Sequence, residues 1–71
     1  MQEISVVTPL PLGAFLKVAG AVRSGGEAKR AVQAGLVTVN GTVEVRRAHL
    51  LRSGDVVGVR DEEYRVCSSP A

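Results

Sequence analysis

The apolar residues near the start of the chain follow a strand pattern and then a helical one. The β-branched run EISVVT at residues 3–8 predicts a strand, and Pro9 ends it because proline has no N–H to donate to a sheet. Further on, a group of apolar residues recurs at the spacing of one helix face: Leu12, Phe15, Leu16 and Ala19. This spacing predicts a first helix within residues 12–20 that ends at Gly20 and leaves Lys17 exposed.

A second helix is predicted within VRSGGEAKRAVQAG, residues 22–35. Ser24 followed three residues later by Glu27 is a capping box, which places Ser24 at the N-cap and two adjacent glycines in the first turn. The side chains that share the apolar face are Ala28, Ala31 and Val32, and those that point away from it are Lys29, Arg30 and Gln33. We expect Gly35 to close the helix.

From residue 36 onward the apolar residues alternate with a period of two. LVTV and TVEV flank Asn40-Gly41, which is the strongest short-range signal for a β-hairpin. A plain two-residue turn pairs Val39 with Thr42, whereas alternation alone matches valine to valine through a bulge. The sequence leaves both registers open.

The remainder of the chain predicts further short strands. RRAHLL continues the hairpin outward, RSGD at residues 52–55 forms a turn, and VVGV and YRVC form two short strands. The predicted order is therefore one strand, two helices and then three or four strands. This order indicates an α+β fold in which two helices pack on one face of a small, mostly antiparallel sheet.

Composition indicates one small, aliphatic domain. The chain has 71 residues, of which 45% are hydrophobic and only two are aromatic, so we expect a single domain over residues 1–71. Its core should contain the apolar residues on the inner faces of the predicted elements: Phe15, Leu16, Val32 and Val37. A single cysteine, Cys67, and the lack of an apolar run of the ~18 residues that a membrane span requires predict a cytoplasmic protein without disulfides.

Positive charge is concentrated in the middle of the chain. Residues 17–60 hold eight basic side chains: Lys17, Arg23, Lys29, Arg30, Arg46, Arg47, Arg52 and Arg60. Three acidic residues lie in the same range, so its net charge is +5, compared with +2 for the whole chain. A basic centre between acidic ends points to a polyanionic partner.

Residues that support catalysis are scarce. His49 is the only histidine and Cys67 the only cysteine, so a zinc site lacks its further ligands. The phosphate-loop motif Gly-x-x-x-x-Gly-Lys-[Ser/Thr] is also absent from the sequence. We therefore expect a non-catalytic protein with no metal, no cofactor and no small-molecule substrate.

The first turn of the second helix is a candidate phosphate site. Its N–H groups lack intrahelical partners and lie at the positive end of the helix dipole. Because Gly25 and Gly26 have no side chains, a phosphate can approach those N–H groups directly. Three basic residues flank the glycines: Arg23, Lys29 and Arg30. The other interpretation is that the cap is already satisfied and the glycines only ease the loop.

Several short motifs also occur in the order and spacing of a known family. They are Phe15-Leu16-Lys17 with Gly20, Ser24 with Ala28-Lys29, Gly35-x-Val37-x-Val39-Asn40-Gly41, and Gly54-Asp55. Through them, residues 12–57 closely resemble the RNA-binding domain of the ribosomal small-subunit protein four type, the S-four or alpha-L domain. The resemblance implies two helices on a small sheet, with the second helix and the following hairpin holding structured RNA of the ribosomal or transfer RNA class.

The resemblance and the charge distribution together predict an RNA-binding set. It comprises Ser24, Lys29 and Arg30 of the second helix, Arg46 and Arg47 after the hairpin, Lys17, Arg23 and Arg52 as flanks, and the backbone of Gly25 and Gly26. Many family members have an arginine where this chain has Gly25. The Ser-Gly-Gly form with Arg46-Arg47 resembles a subgroup of short, stand-alone bacterial proteins.

Two classes of partner follow from these patterns. The near absence of aromatic side chains argues against base stacking on a single strand and favours recognition of folded RNA by its shape and phosphates. For this class we expect a monomer that does not bind membranes. The alternative is a protein-binding adaptor that uses the exposed edge of the valine-rich hairpin to add a strand to a partner.

Overall fold

Two helices and seven short strands make up the part of the chain that the structure describes. This computed structural model describes residues 1–69, so the last two residues of the predicted domain 1–71 lie outside the described residues. In chain order the elements are β1 (Gln2–Val6), β2 (Leu10–Pro11), α1 (Leu12–Val18), α2 (Gly25–Gln33), β3 (Val37–Val39), β4 (Thr42–Val43), β5 (Leu50–Leu51), β6 (Val56–Val59) and β7 (Glu62–Ser68).

Five of the strands form one sheet in the order β1-β7-β6-β3-β4. All neighbours in it run antiparallel except β1 and β7, which pair in parallel. Along β7, Tyr64 and Val66 are buried on the helix side, whereas Glu63 and Arg65 are exposed on the opposite face. The fold is therefore the predicted α+β arrangement, with two helices on one face of a mostly antiparallel sheet.

The segment after the hairpin departs from the prediction. β4 ends at Val43, and residues 44–49 form a loop instead of continuing the strand outward. β5 then pairs with β2 in a separate two-stranded ladder, in which Leu10 lies opposite Leu51. Leu51 is fully buried, so packing of this leucine into the core draws the segment away from the hairpin.

The hairpin has the plain two-residue register. Val39 lies opposite Thr42, and the next pair follows without a bulge. Asn40 and Gly41 have φ angles of +52° and +84°, the positive values that a tight type I′ turn requires. In this register Val43 lies on the edge strand and is 53% exposed.

The core between helices and sheet is aliphatic apart from one aromatic pair. All four predicted core residues are fully buried: Phe15, Leu16, Val32 and Val37. The ring of Phe15 meets that of Tyr64 edge to face, with centroids 6.5 Å apart and an interplanar angle of 79°. Within residues 1–69 no charged side chain is buried, so burial of apolar surface is the main source of stability.

The ends of α2 confirm the predicted signals. The Oγ of Ser24 accepts a hydrogen bond from the N–H of Glu27 at 3.1 Å, which is the N-cap contact of the capping box. Gly35 follows the helix with a φ of +76°, the left-handed conformation that commonly ends a helix. α2 has only nine residues, and no helix in the described part of the chain is long and apolar enough to cross a membrane.

Candidate nucleic-acid interface

Three distant parts of the chain meet in a cleft beside the first turn of α2. Lys17 of α1, Gly25 of α2 and Arg47 of the 44–49 loop all line it, and its volume is about 410 Å³. The described residues that complete the lining are small or apolar, and they include Ala14 and Ala28. The fold therefore brings together three of the predicted site residues that the sequence separates.

Arg47 is held in place through its backbone. Its carbonyl accepts a hydrogen bond from the N–H of Gly13 at 3.0 Å, and the carbonyl of His49 accepts one from the N–H of Leu12 at 2.8 Å. These bonds provide partners for two N–H groups at the start of α1, which has no side-chain cap. A Cβ on Gly13 would lie only 3.5 Å from the Cβ of Arg47, so the loop runs close along the helix.

The first turn of α2 has two free backbone donors. The N–H of Ala28 makes the first helical bond, to the carbonyl of Ser24 at 3.0 Å, and the N–H of Glu27 is capped by the Ser24 hydroxyl. Within residues 1–69 the N–H groups of Gly25 and Gly26 have no partner. A Cβ on Gly25 would meet no atom within 4 Å, so this backbone is open to a ligand.

The guanidinium of Arg30 reaches back towards the same turn. Its Nη1 lies 3.8 Å from the position that a Cβ would take on Gly26, four residues earlier. Lys29 likewise follows Gly25 by four residues along the helix, but no atom lies within 4 Å of the position that a Cβ would take on Gly25. Long side chains on a helix point towards its N-terminus, and the missing side chain of Gly26 leaves space for the Arg30 guanidinium.

Arg46, in contrast, is engaged within the chain. Its Nε lies 3.1 Å from Oε2 of Glu44, and its backbone N–H donates to the same oxygen at 3.0 Å. The Nδ1 of His49 lies 3.1 Å from the other carboxylate oxygen. The hydrogen bond from the Arg46 side chain is the main cause that lowers the pKa of Glu44, and the same bond raises the pKa of Arg46. Much of the Arg46 charge is therefore neutralised locally.

The other predicted residues lie at varying distances from the cleft. Arg23 and Lys29 are exposed and form no ion pair within residues 1–69. Arg52 follows β5, and its backbone N–H donates to the carboxylate of Asp55 at 2.9 Å in the predicted RSGD turn. Arg52 does not line the cleft.

Two residues that shape the interface were not identified from the sequence. Glu44 contacts Arg46 and His49. The only feature of the sequence that points to these contacts is that Glu44 lies two residues before the pair Arg46-Arg47. Gly13 allows the loop to approach α1, and the sequence contains no local signal for that contact. Within residues 1–69 no three side chains of histidine, cysteine, aspartate or glutamate gather as a metal site.

Comparison with known proteins identifies the family of this fold. Residues 3–67 match the family model described as the S4 domain, a longer stretch than the motifs at 12–57 indicated. The chain belongs to the S4 domain family. No curated protein is matched at a significant level.

Solved structures that are similar to this chain include a bacterial protein and a ribosomal protein. The solution structure of YbcJ from E. coli, described as revealing an alfaL motif involved in RNA-binding, is 32% identical over 94% of this chain and 87% of that one, with a TM-score of 0.72. The crystal structure of the 30S ribosomal protein S4e from Thermoplasma acidophilum is 27% identical, with a TM-score of 0.60. The match covers 84% of this chain and 30% of the ribosomal protein.

Proposed function

We propose that this chain is a non-catalytic RNA-binding protein that holds structured RNA of the ribosomal or transfer RNA class. The contacts come from α2, the end of α1 and the loop that follows the hairpin. Membership of the S4 domain family supports RNA as the partner. The RNA-binding motif described for the YbcJ protein supports the same partner.

The observation that carries this proposal is the meeting of Lys17 and Arg47 at the open backbone of Gly25. Neither cation has an ion-pair partner among residues 1–69, so both charges are available to a ligand. Free N–H groups at a helix start add a further positive potential. A phosphate backbone supplies the complementary negative charge and hydrogen-bond acceptors.

Folded RNA suits this surface better than a flexible single strand. Proteins that bind single strands stack successive bases on exposed aromatic rings. Both aromatic rings of this chain are buried, since Phe15 is fully covered and Tyr64 is 5% exposed. Recognition by phosphate contacts and shape, as for folded RNA, needs no such platform.

The adaptor alternative has less support. The hairpin edge does expose Val43, which is 53% exposed, and Val45 in the loop that follows is 58% exposed. However, β4 contributes only two residues to the sheet, which leaves a short edge for an added strand. We therefore keep strand addition as an outcome to be tested and not as the main proposal.

A salt titration of RNA binding tests the proposal. The logarithm of the affinity for a structured RNA should fall linearly with the logarithm of salt concentration, and Lys17→Ala should flatten the slope by roughly 0.7 to 1. Arg60→Ala is the matched control, because Arg60 is exposed, forms no ion pair within residues 1–69 and does not line the cleft. It should leave the slope nearly unchanged. Salt-independent binding, or an equal effect of both variants, would contradict the proposed interface.

A further inference from the structure

The cleft is larger and more apolar than phosphate contacts alone require. Its volume of about 410 Å³ falls within the range of small-ligand sites, roughly 300–1,000 Å³. Three alanines form much of its lining, and one of them, Ala28, is only 1% exposed. No acidic residue lines it, and its two polar side chains are Lys17 and Arg47. Such a cleft suits a ligand that combines a flat apolar body with an anionic group.

Arg47 can provide the stacking surface that the buried aromatic rings do not. A guanidinium is planar and stacks on nucleobases as well as pairing with phosphates. The backbone of Arg47 is fixed by the bond from Gly13 at 3.0 Å, so its side chain starts from a defined position beside the cleft. Its neighbour Arg46 is held by Glu44 and does not line the cleft.

We infer that the cleft holds one unpaired nucleotide of the bound RNA. Its base lies against the alanine lining and the Arg47 guanidinium, and its phosphate lies between Lys17 and the free N–H of Gly25. This inference rests on the proposed RNA-binding function and adds the RNA feature that is recognised. A bulged or terminal nucleotide enters such a site more easily than a paired one, because it is already free of the stack.

Two RNA stems that differ by one bulged nucleotide test the inference. The wild-type chain should bind the bulged stem about tenfold more tightly than the fully paired stem, in line with the stacking of one base. Ala48→Leu fills the cleft from the exposed loop, so it should weaken binding to the bulged stem more than binding to the paired stem and thereby remove the preference. Ala14→Leu fills it from α1 and should act in the same way.

Two further variants test whether the preference for the bulged stem depends on the cleft itself and on the planar group of Arg47. Ala34→Leu adds the same bulk at an exposed position outside the cleft, so it should keep the tenfold preference. Arg47→Lys keeps the charge but loses the planar group, so it should weaken binding to the bulged stem by a larger factor than binding to the paired stem. Circular dichroism of each variant confirms that it is folded before its affinities are compared.

The outcomes distinguish failure of the nucleotide site from failure of the proposed RNA-binding function. Equal affinity of the wild-type chain for both stems, or a preference that survives Ala48→Leu, would overturn the nucleotide site while leaving RNA binding intact. Failure to bind either stem would overturn the proposed function and this inference with it. A free nucleoside monophosphate that binds more tightly than the bulged stem would assign the cleft to free nucleotides and overturn its assignment to RNA.

Discussion

The N–H of Gly13 donates to the carbonyl of Arg47 at 3.0 Å, and this bond joins the first turn of α1 to the loop that follows the hairpin. It fixes the backbone of Arg47 where its side chain lines the cleft with Lys17. One residue earlier, the side chain of Arg46 turns to the Glu44 carboxylate instead. Two adjacent arginines therefore have different roles, and this difference leads to the first prediction.

Arg47→Ala should weaken RNA binding more than Arg46→Ala. Removing the free Arg47 charge should flatten the salt dependence of the affinity by roughly 0.7 to 1. Removing Arg46 should change the salt dependence by a smaller amount, because Glu44 already neutralises much of the Arg46 charge. Anisotropy titrations at several salt concentrations measure both slopes. If Arg46→Ala has the larger effect, the ion pair opens when RNA binds and the assignment of roles is reversed.

Replacing the glycines of α2 should move stability and RNA affinity in opposite directions. A Cβ on Gly25 meets nothing within 4 Å, and one on Gly26 comes no closer than 3.8 Å, to Arg30. Gly25→Ala and Gly26→Ala should therefore stabilise the fold by up to about 1 kcal/mol each, since alanine restricts the unfolded chain. The added methyl groups obstruct the approach of a phosphate to the free N–H groups, so affinity should fall.

Melting temperature and RNA affinity of the glycine variants should be measured on the same preparations. Gly26→Val should weaken binding further, because its branched side chain crowds the same donors. Unchanged affinity in the folded double-alanine variant would show that no phosphate approaches this turn. The glycines would then serve only the loop, which is the other interpretation of the sequence.

Phe15→Ala should severely destabilise the domain. The ring is fully buried and meets Tyr64 edge to face, so its removal leaves a cavity between α1 and the sheet. The expected loss is about 3 to 5 kcal/mol in the free energy of unfolding, measured by urea denaturation. Phe15→Leu, which preserves more of the volume, is the control and should lose less. A melting curve for Phe15→Ala that coincides with that of the wild type would refute the assigned core.

Gly58→Ala should destabilise the sheet through one neighbour. A Cβ at this position would lie 2.5 Å from the Oγ1 of Thr38, its direct partner across the β3–β6 pair. Overpacking of this kind typically costs about 1 to 3 kcal/mol. Thr38→Ala removes the hydroxyl, so the double variant Thr38→Ala/Gly58→Ala should recover most of the loss. Additive effects of the two substitutions in thermal melts would show that the contact is not the cause.

Stability at low pH should depend in part on Glu44. Its hydrogen bond from Arg46 lowers its pKa below the ordinary value of 4.5, so the fold favours the ionised carboxylate. The resulting stabilisation is present above pH 4.5 and is lost as the pH falls through the lowered pKa. Glu44→Gln should therefore lose less melting temperature than the wild type between pH 6 and pH 3. Identical acid-induced shifts in the two proteins would contradict this role.

The elements of the fold were largely predictable because their signals are local. The Ser24 cap, the terminal glycine Gly35 and the turn at Asn40-Gly41 each act over a few residues, and the structure contains all three. The same holds for the core, since helical spacing alone placed Phe15 and Val32 on buried faces. Helix ends, turns and buried helix faces, which depend on residues close in sequence, were thus determined by the sequence itself.

The tertiary structure decided what depends on residues far apart in the chain. It placed Lys17 and Arg47 in one cleft, assigned Arg46 to Glu44 and paired β1 with β7 in parallel. It also turned residues 44–49 into a loop against α1, where the sequence predicted a continued strand. Charge counting shows that cations are abundant but not which of them lie together. Only the packing of distant segments, driven by burial of residues such as Leu51, determines which charges remain free to bind a ligand.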